Sequence, residues 1–87
     1  MRSTADEGFW EGFEKLPINV QNRTKKQFLL WKENPKHPRL HFKQVDAKKS
    51  VWSVRISKNY RALGRVYKDN IVWFWIGDHN EYDRLIK

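Results

Sequence analysis

Cysteine is absent from this chain of 87 residues. Disulfides and thiolate metal sites are therefore excluded, and a reducing compartment is permitted. Long apolar stretches are missing too. The longest wholly apolar run, Ile71 to Ile76, is far too short to cross a bilayer, so no membrane partner is expected. The first turns are polar and acidic rather than basic and then apolar, which is not a secretory signal pattern, and a cytoplasmic location is the expectation. Neither a glycine-rich phosphate loop nor a nucleophile elbow occurs. His37 and His41 have no third ligand at metal spacing, so no metal site is expected, and no small-molecule cofactor is expected either. Acids are in the minority, 10 against 18 Lys and Arg, for a net charge of +8. Residues 1–14 hold one Arg against four acids and carry −3, which leaves seventeen cations against six acids, or +11, in the remainder. Such a balance favours a polyanionic partner through counterion release; an acidic protein would also satisfy it.

What the chain does have is aromatic bulk, 15% of its residues with five Trp, so large rings must supply much of the burial. That argues against disorder although 32% of the residues are charged. Without repeats, low-complexity tracts or a linker, residues 1–87 read as one domain with a core of moderate size.

Two helices are predicted first. Glu7 to Lys15 follows Asp6 as N-cap and stops before Pro17. From Ile18 to Asn34, Val20, Thr24, Gln27, Phe28 and Trp31 fall on one stripe, with Leu30 at its margin and Leu29 on the opposite side. Pro35 and Pro38 end that helix. Leu40 to Val45 alternates at period two and reads as a strand, and further strands are predicted at Val51–Ser57, Tyr60–Tyr67 and Ile71–Ile76. Asp78, with Glu81 three residues on, has the spacing of a capping box for a short terminal helix to Ile86. The expected class is α+β: a small antiparallel sheet of three to four strands, two N-terminal helices on one face, and a short C-terminal helix.

Alternation also constrains register, because paired residues share a face. A turn at Ser57–Asn59 sets Arg55 across from Arg61, in line with Ser53 and Arg65 on one face, while Trp52, Val54, Ile56, Ala62, Gly64 and Val66 take the other. Like charges set opposite are unfavourable unless an anion lies between them. Without a bulge, the next hairpin pairs Val66 with Val72, Gly64 with Phe74 and Ala62 with Ile76, which sends Trp73 and Trp75 to the arginine face. Gly77 then lies opposite Arg61 and brings His79 near it at the rim. His79 and Tyr82, three apart at a helix start, share a side. The helix N-terminus turns its amides into the same corner. The bland readings are that Arg55 and Arg61 are solvated strand residues paired with Asp46 or Glu81, that His79 is a surface histidine, and that Trp73 and Trp75 are core.

Taken in order, Phe9-Trp10 with Leu16-Pro17, the long helix, Asn34-Pro35-Lys36-His37-Pro38, Leu40-His41-Phe42-Lys43, Trp52-Ser53-Val54-Arg55-Ile56, Tyr60-Arg61-Ala62-Leu63 and Ile76-Gly77-Asp78-His79-Asn80-Glu81-Tyr82 resemble the RelE/ParE superfamily of type II toxins over nearly the whole chain. The resemblance implies a toxin neutralised by a cognate antitoxin that wraps around it. On the RelE-like branch it implies an endoribonuclease that cuts messenger RNA, generally at the ribosome. By position it makes Arg55 the strand basic residue, Arg61 the arginine of the tyrosine-arginine pair, and Tyr82 the late aromatic. Ser53 stands where the family often has a second basic residue, and Gly64 where an aromatic frequently stands.

The chemistry expected from these residues is attack of a 2′-hydroxyl on the adjacent phosphate, without metal, leaving a cyclic phosphate and a free 5′-hydroxyl. His79 suits proton transfer because an unperturbed imidazole titrates near neutrality. Tyr82 would orient or transfer a proton. Arg61 with Arg55 would hold the phosphorane charge, and Arg65 and Ser53 would contact the RNA. Which group is acid and which base stays open. The rivals are a ParE-like toxin or inactive relative that acts by binding alone, and a plain RNA-binding module.

Overall fold

Asp6 opens the first helix as an N-cap should: its Oδ1 accepts from the Phe9 N–H at 3.1 Å. The computed structural model, which describes residues 1–86, has strand β1 (Arg2–Ala5), helices α1 (Glu7–Glu14) and α2 (Ile18–Glu33), and a 3₁₀ turn (Pro38–Leu40). Strands β2 (Lys43–Asp46), β3 (Val51–Ser57), β4 (Tyr60–Tyr67) and β5 (Asn70–Asp78) follow, then helix α3 (His79–Ile86). α2 has no side-chain cap at Pro17; instead Gln21 Nε2 donates to the Phe13 and Leu16 carbonyls, at 3.1 and 3.2 Å, and ties the two helices together. The predicted stripe of α2 is its inner face: Val20, Thr24, Gln27 and Trp31 are buried and Leu29 is exposed. Gln27 satisfies its buried amide by donating from Nε2 to the Arg55 carbonyl at 2.8 Å.

The sheet has five strands in the order β1-β5-β4-β3-β2, which corrects the three to four expected. β1 is the addition. It runs parallel to β5, pairing Ser3 with Ile71 and Ala5 with Trp73, and Ser3 Oγ accepts from Trp73 Nε1 at 2.9 Å. Four residues reading Arg-Ser-Thr-Ala carry no apolar alternation, so this strand exists only because β5 offers an edge. The strand expected from Leu40 is also corrected. Leu40 and Phe42 both anchor in the core, but a 3₁₀ turn started by Pro38 carries the first, and His41 between them is left-handed at φ 44°, ψ 41°. The period-two look of Leu40-His41-Phe42 came from a turn, and pairing begins at Lys43.

Register holds along most of the meander. Arg55 lies across from Arg61, although the turn is the two-residue Lys58-Asn59 with a bulge at Ile56 rather than a three-residue loop. Ala62 pairs with Ile76, Leu63 with Trp75 and Arg61 with Gly77, as expected. Beyond Leu63 a bulge intervenes, so Gly64 pairs with Trp73 and Val66 with Ile71. The bulge returns Trp73 to the helix-covered core and sends Phe74 to the arginine face in its stead, beside Trp75. A Cβ on Gly64 would meet the Trp73 ring and the Ile71 side chain at 2.8 Å, so the missing side chain makes the space that the ring fills.

The main core sits between the helices and the sheet, around Phe9, Trp31, Leu40, Val54, Ile56, Ile71, Trp73 and Ile76. A smaller cluster on the far face joins Val51, Leu63 and Tyr82, with Phe74 and Trp75 against it. α1 lies so close to β5 that a Cβ on Gly12 would stand 2.7 Å from the Ile76 carbonyl oxygen, a backbone atom that cannot move aside. Gly12→Ala is therefore expected to destabilise the fold by about 1–3 kcal/mol despite its better helix propensity, read as a lower urea midpoint.

Candidate active site

On the face of the sheet away from α1 and α2, the edge of β3 and β4 and the start of α3 enclose a cavity of about 260 Å³. Strand side chains of Lys43, Ser53, Arg55 and Arg61 line it, joined by His41 from the turn before β2 and by His79, Tyr82, Asp83 and Ile86 from α3. Five of the six residues singled out in the sequence thus meet in one place. α3 reaches there because its first turn is pinned twice: the His79 N–H donates to the Asn59 carbonyl at 2.7 Å, and Asp78 Oδ1 accepts from the Glu81 N–H at 2.9 Å. Those bonds consume two of the amides that the helix start could have offered an anion.

Within the cavity each group has a distinct setting. Among the described residues the opposed pair Arg55 and Arg61 has no carboxylate within ion-pair distance, and the one such contact joins His79 Nδ1 to Asp83 Oδ2 at 3.1 Å. Arg61 folds back on the β3–β4 turn, its Nη1 donating to the Ser57 and Tyr60 carbonyls at 2.6 and 2.9 Å. Burial, and then the charge of Arg55, push its pKa below the usual guanidinium value, partly offset by Tyr82 and Asp83. A lowered cation pKa means that the charged form is under-compensated there, so an anion between the two arginines would relieve it. His79 and Tyr82 share a side of α3, with ring centroids 5.8 Å apart.

Tyr82 is buried, and its O–H donates to Ser53 Oγ, itself buried, at 3.1 Å. Tyr82→Phe is expected to cost about 1–3 kcal/mol in thermal or urea unfolding, because Ser53 loses its partner in a buried site. Adding Ser53→Ala should recover most of that loss, since removing both partners leaves nothing unsatisfied.

Arg65 stands apart. Its guanidinium lies over the Phe74 ring, 5.5 Å from the centroid, and borders a neighbouring cavity with Phe74, Trp75 and Leu85. The bulge at Phe74 provides this aromatic seat. His41, a strand residue by its sequence pattern, instead joins the cavity from a turn, with Nε2 3.4 Å from Arg55 Nη1. Pro38, placed to start a 3₁₀ turn, was the available signal.

Residues 19–84 match the family model of the ParE-like toxin domain. The chain belongs to this family. It is thereby a member of the RelE/ParE superfamily of toxins from toxin–antitoxin systems. No curated protein matches the chain. Among solved structures it is similar to the YoeB/ParE toxin from Agrobacterium tumefaciens, at TM-score 0.70 and 15% identity, covering 91% of this chain and 99% of that one. It is also similar to a chain of the RelB-RelE antitoxin-toxin complex from Methanococcus jannaschii, at TM-score 0.75 and 14% identity over 97% and 99% of the two chains. The isolated RelE toxin from E. coli aligns at TM-score 0.65 and 17% identity over 99% and 98%. At these identities the likeness is one of fold. No helix among the described residues is long and apolar enough to cross a membrane.

Proposed function

We propose that this toxin is a metal-independent endoribonuclease that cleaves messenger RNA, at the ribosome and in the cytoplasm, as a single domain. One observation carries the reading: two guanidinium groups set opposite each other, with no carboxylate partner among the described residues, line one cavity with a carboxylate-backed imidazole and a phenol. Arg55 and Arg61 suit a phosphate and the extra charge of a phosphorane. His79 suits proton transfer, with Asp83 accepting from Nδ1–H and so leaving Nε2 for the substrate. Tyr82, committed to Ser53, suits orientation of the strand wall better than proton transfer. Arg65, over Phe74, suits contact with RNA beyond the scissile phosphate.

The partner that restrains the toxin would be a cognate antitoxin, as in the RelB-RelE complexes whose toxin chains share this fold. An acidic amphipathic segment is the expected chemistry, set against the arginine face or the exposed Trp10 and Leu29 surfaces. A second reading has one specific support, the ParE-like description of the matching family: the chain would then block its target by binding, without breaking a bond.

Purified toxin, incubated with messenger RNA with and without ribosomes, tests the proposal. Fragments ending in a cyclic phosphate, each followed by a 5′-hydroxyl fragment and unaffected by chelator, are expected. Intact RNA in both conditions, from a preparation that still arrests growth when expressed, would favour the binding reading.

A further inference from the structure

Cleavage by a 2′-hydroxyl needs two proton transfers, and α3 brings one imidazole, His79, to the cavity. We propose that His41 is the second proton-transfer group, the general base, with His79 as the acid; the inference rests on the nuclease reading above. The backbone holds His41 in place from both sides. Leu40 before it is fully buried, and Phe42 after it packs on Trp31 and Trp52, with centroids 5.6 and 4.8 Å apart. Between these anchors His41 takes the left-handed conformation, φ 44° and ψ 41°, which residues with a Cβ adopt at a cost and which concentrates at functional sites. Its N–H bonds the Pro38 carbonyl at 3.3 Å, closing the 3₁₀ turn.

The other groups in the cavity are each unsuited to be the base. Arg55 and Arg61 are donors only, Lys43 is a donor only as the ammonium, Tyr82 already donates to Ser53 from a buried position, and Asp83 is engaged by His79. His41 faces Arg55 on β3 and shares the cavity with Lys43 on β2, Arg61 on β4, and His79, Tyr82 and Asp83 on α3. Because a guanidinium only donates, the 3.4 Å contact with Arg55 Nη1 is a hydrogen bond when His41 is neutral with its lone pair on Nε2. That is the form a base requires. A phosphate taken up by Arg55 would compete for the guanidinium and free the lone pair.

In the step itself, the 2′-hydroxyl proton passes to His41 Nε2 as the O2′–P bond forms. The P–O5′ bond breaks and O5′ takes the proton from His79 Nε2, while Asp83 holds Nδ1. The products are a 2′,3′-cyclic phosphate and a 5′-hydroxyl, and proton exchange with water restores both rings.

Two variants test the assignment with RNA cleavage as readout. Asparagine tolerates the left-handed backbone, so His41→Asn is expected to keep the fold, lower kcat/KM about 100-fold or more, and abolish the low-pH limb of its profile, which reports deprotonation of the base. His41→Gly relieves the backbone and should regain activity when imidazole is added to the buffer. If the parent toxin cuts and His41→Asn keeps its rate and both limbs, or imidazole fails to rescue His41→Gly, the assignment is wrong and the nuclease reading stands. If the parent toxin cuts no RNA with or without ribosomes, the nuclease reading falls and this inference falls with it.

Discussion

Replacing His79 and Arg61 together by alanine is expected to abolish RNA cleavage and growth arrest while binding of the antitoxin survives. Removing one preorganised charge stabiliser costs about 10²–10³ in rate, and losing a general acid or base about 10²–10⁴. In the proposed reaction the two act on one transition state, so their effects will not simply multiply, and a combined loss of at least about 10³-fold is expected. The fold should tolerate the change. The His79 side chain is 43% exposed, and the carbonyls that Arg61 Nη1 bonds belong to Ser57, Lys58 and Tyr60 at a turn where water can replace it. The measurements are fragment analysis of messenger RNA, growth after induction, and co-purification with the antitoxin. Undiminished toxicity would turn the assignment to a toxin that acts by binding.

Trp73→Ala should be the most damaging single change to stability, about 3–5 kcal/mol for a buried tryptophan truncated in a core. Trp73 is 2% exposed and meets Phe28, Trp31 and Phe42 at ring-centroid distances of 4.9, 5.6 and 6.3 Å. Its Nε1 also holds Ser3, so β1 would lose an anchor together with the core. For a chain of this length total stability is roughly 4–13 kcal/mol, so the change would remove from about a quarter of it to all of it. The thermal midpoint is expected to fall by at least about 12 °C. A change below about 1 kcal/mol would mean that the ring lies on the arginine face, as an unbulged β5 would put it.

The two tryptophans of β5 show how far sequence reasoning reaches. Strict alternation treats Trp73 and Trp75 alike, and the choice between core and surface turns on one extra residue in β5, Phe74, which stands unpaired between Trp75 opposite Leu63 and Trp73 opposite Gly64. Nothing local in Val72-Trp73-Phe74-Trp75 marks that residue, since every side chain in the run is apolar. The bulge is favoured by where the rings fit: one fills the gap at Gly64, the other lies with Leu63 and Tyr82. For the site, Arg55, Arg61, His79 and Tyr82 were legible because strand alternation and a helix start at Asp78 are short-range rules. Arg65 was misplaced beside them because its shared face survives but its cavity does not. His41 was invisible because a turn held by two core residues can imitate a strand.

By itself the sequence determined the helices, the meander, the opposed arginines and the concentration of positive charge, since each follows from residue spacing and local backbone preference. Tertiary structure alone decided the fifth strand, the bulge that buries Trp73, the Ser53–Tyr82 bond and the arrival of His41 at the cavity. These depend on contacts between residues far apart in the chain, whose energy comes from packing and pairing that no short window of sequence contains.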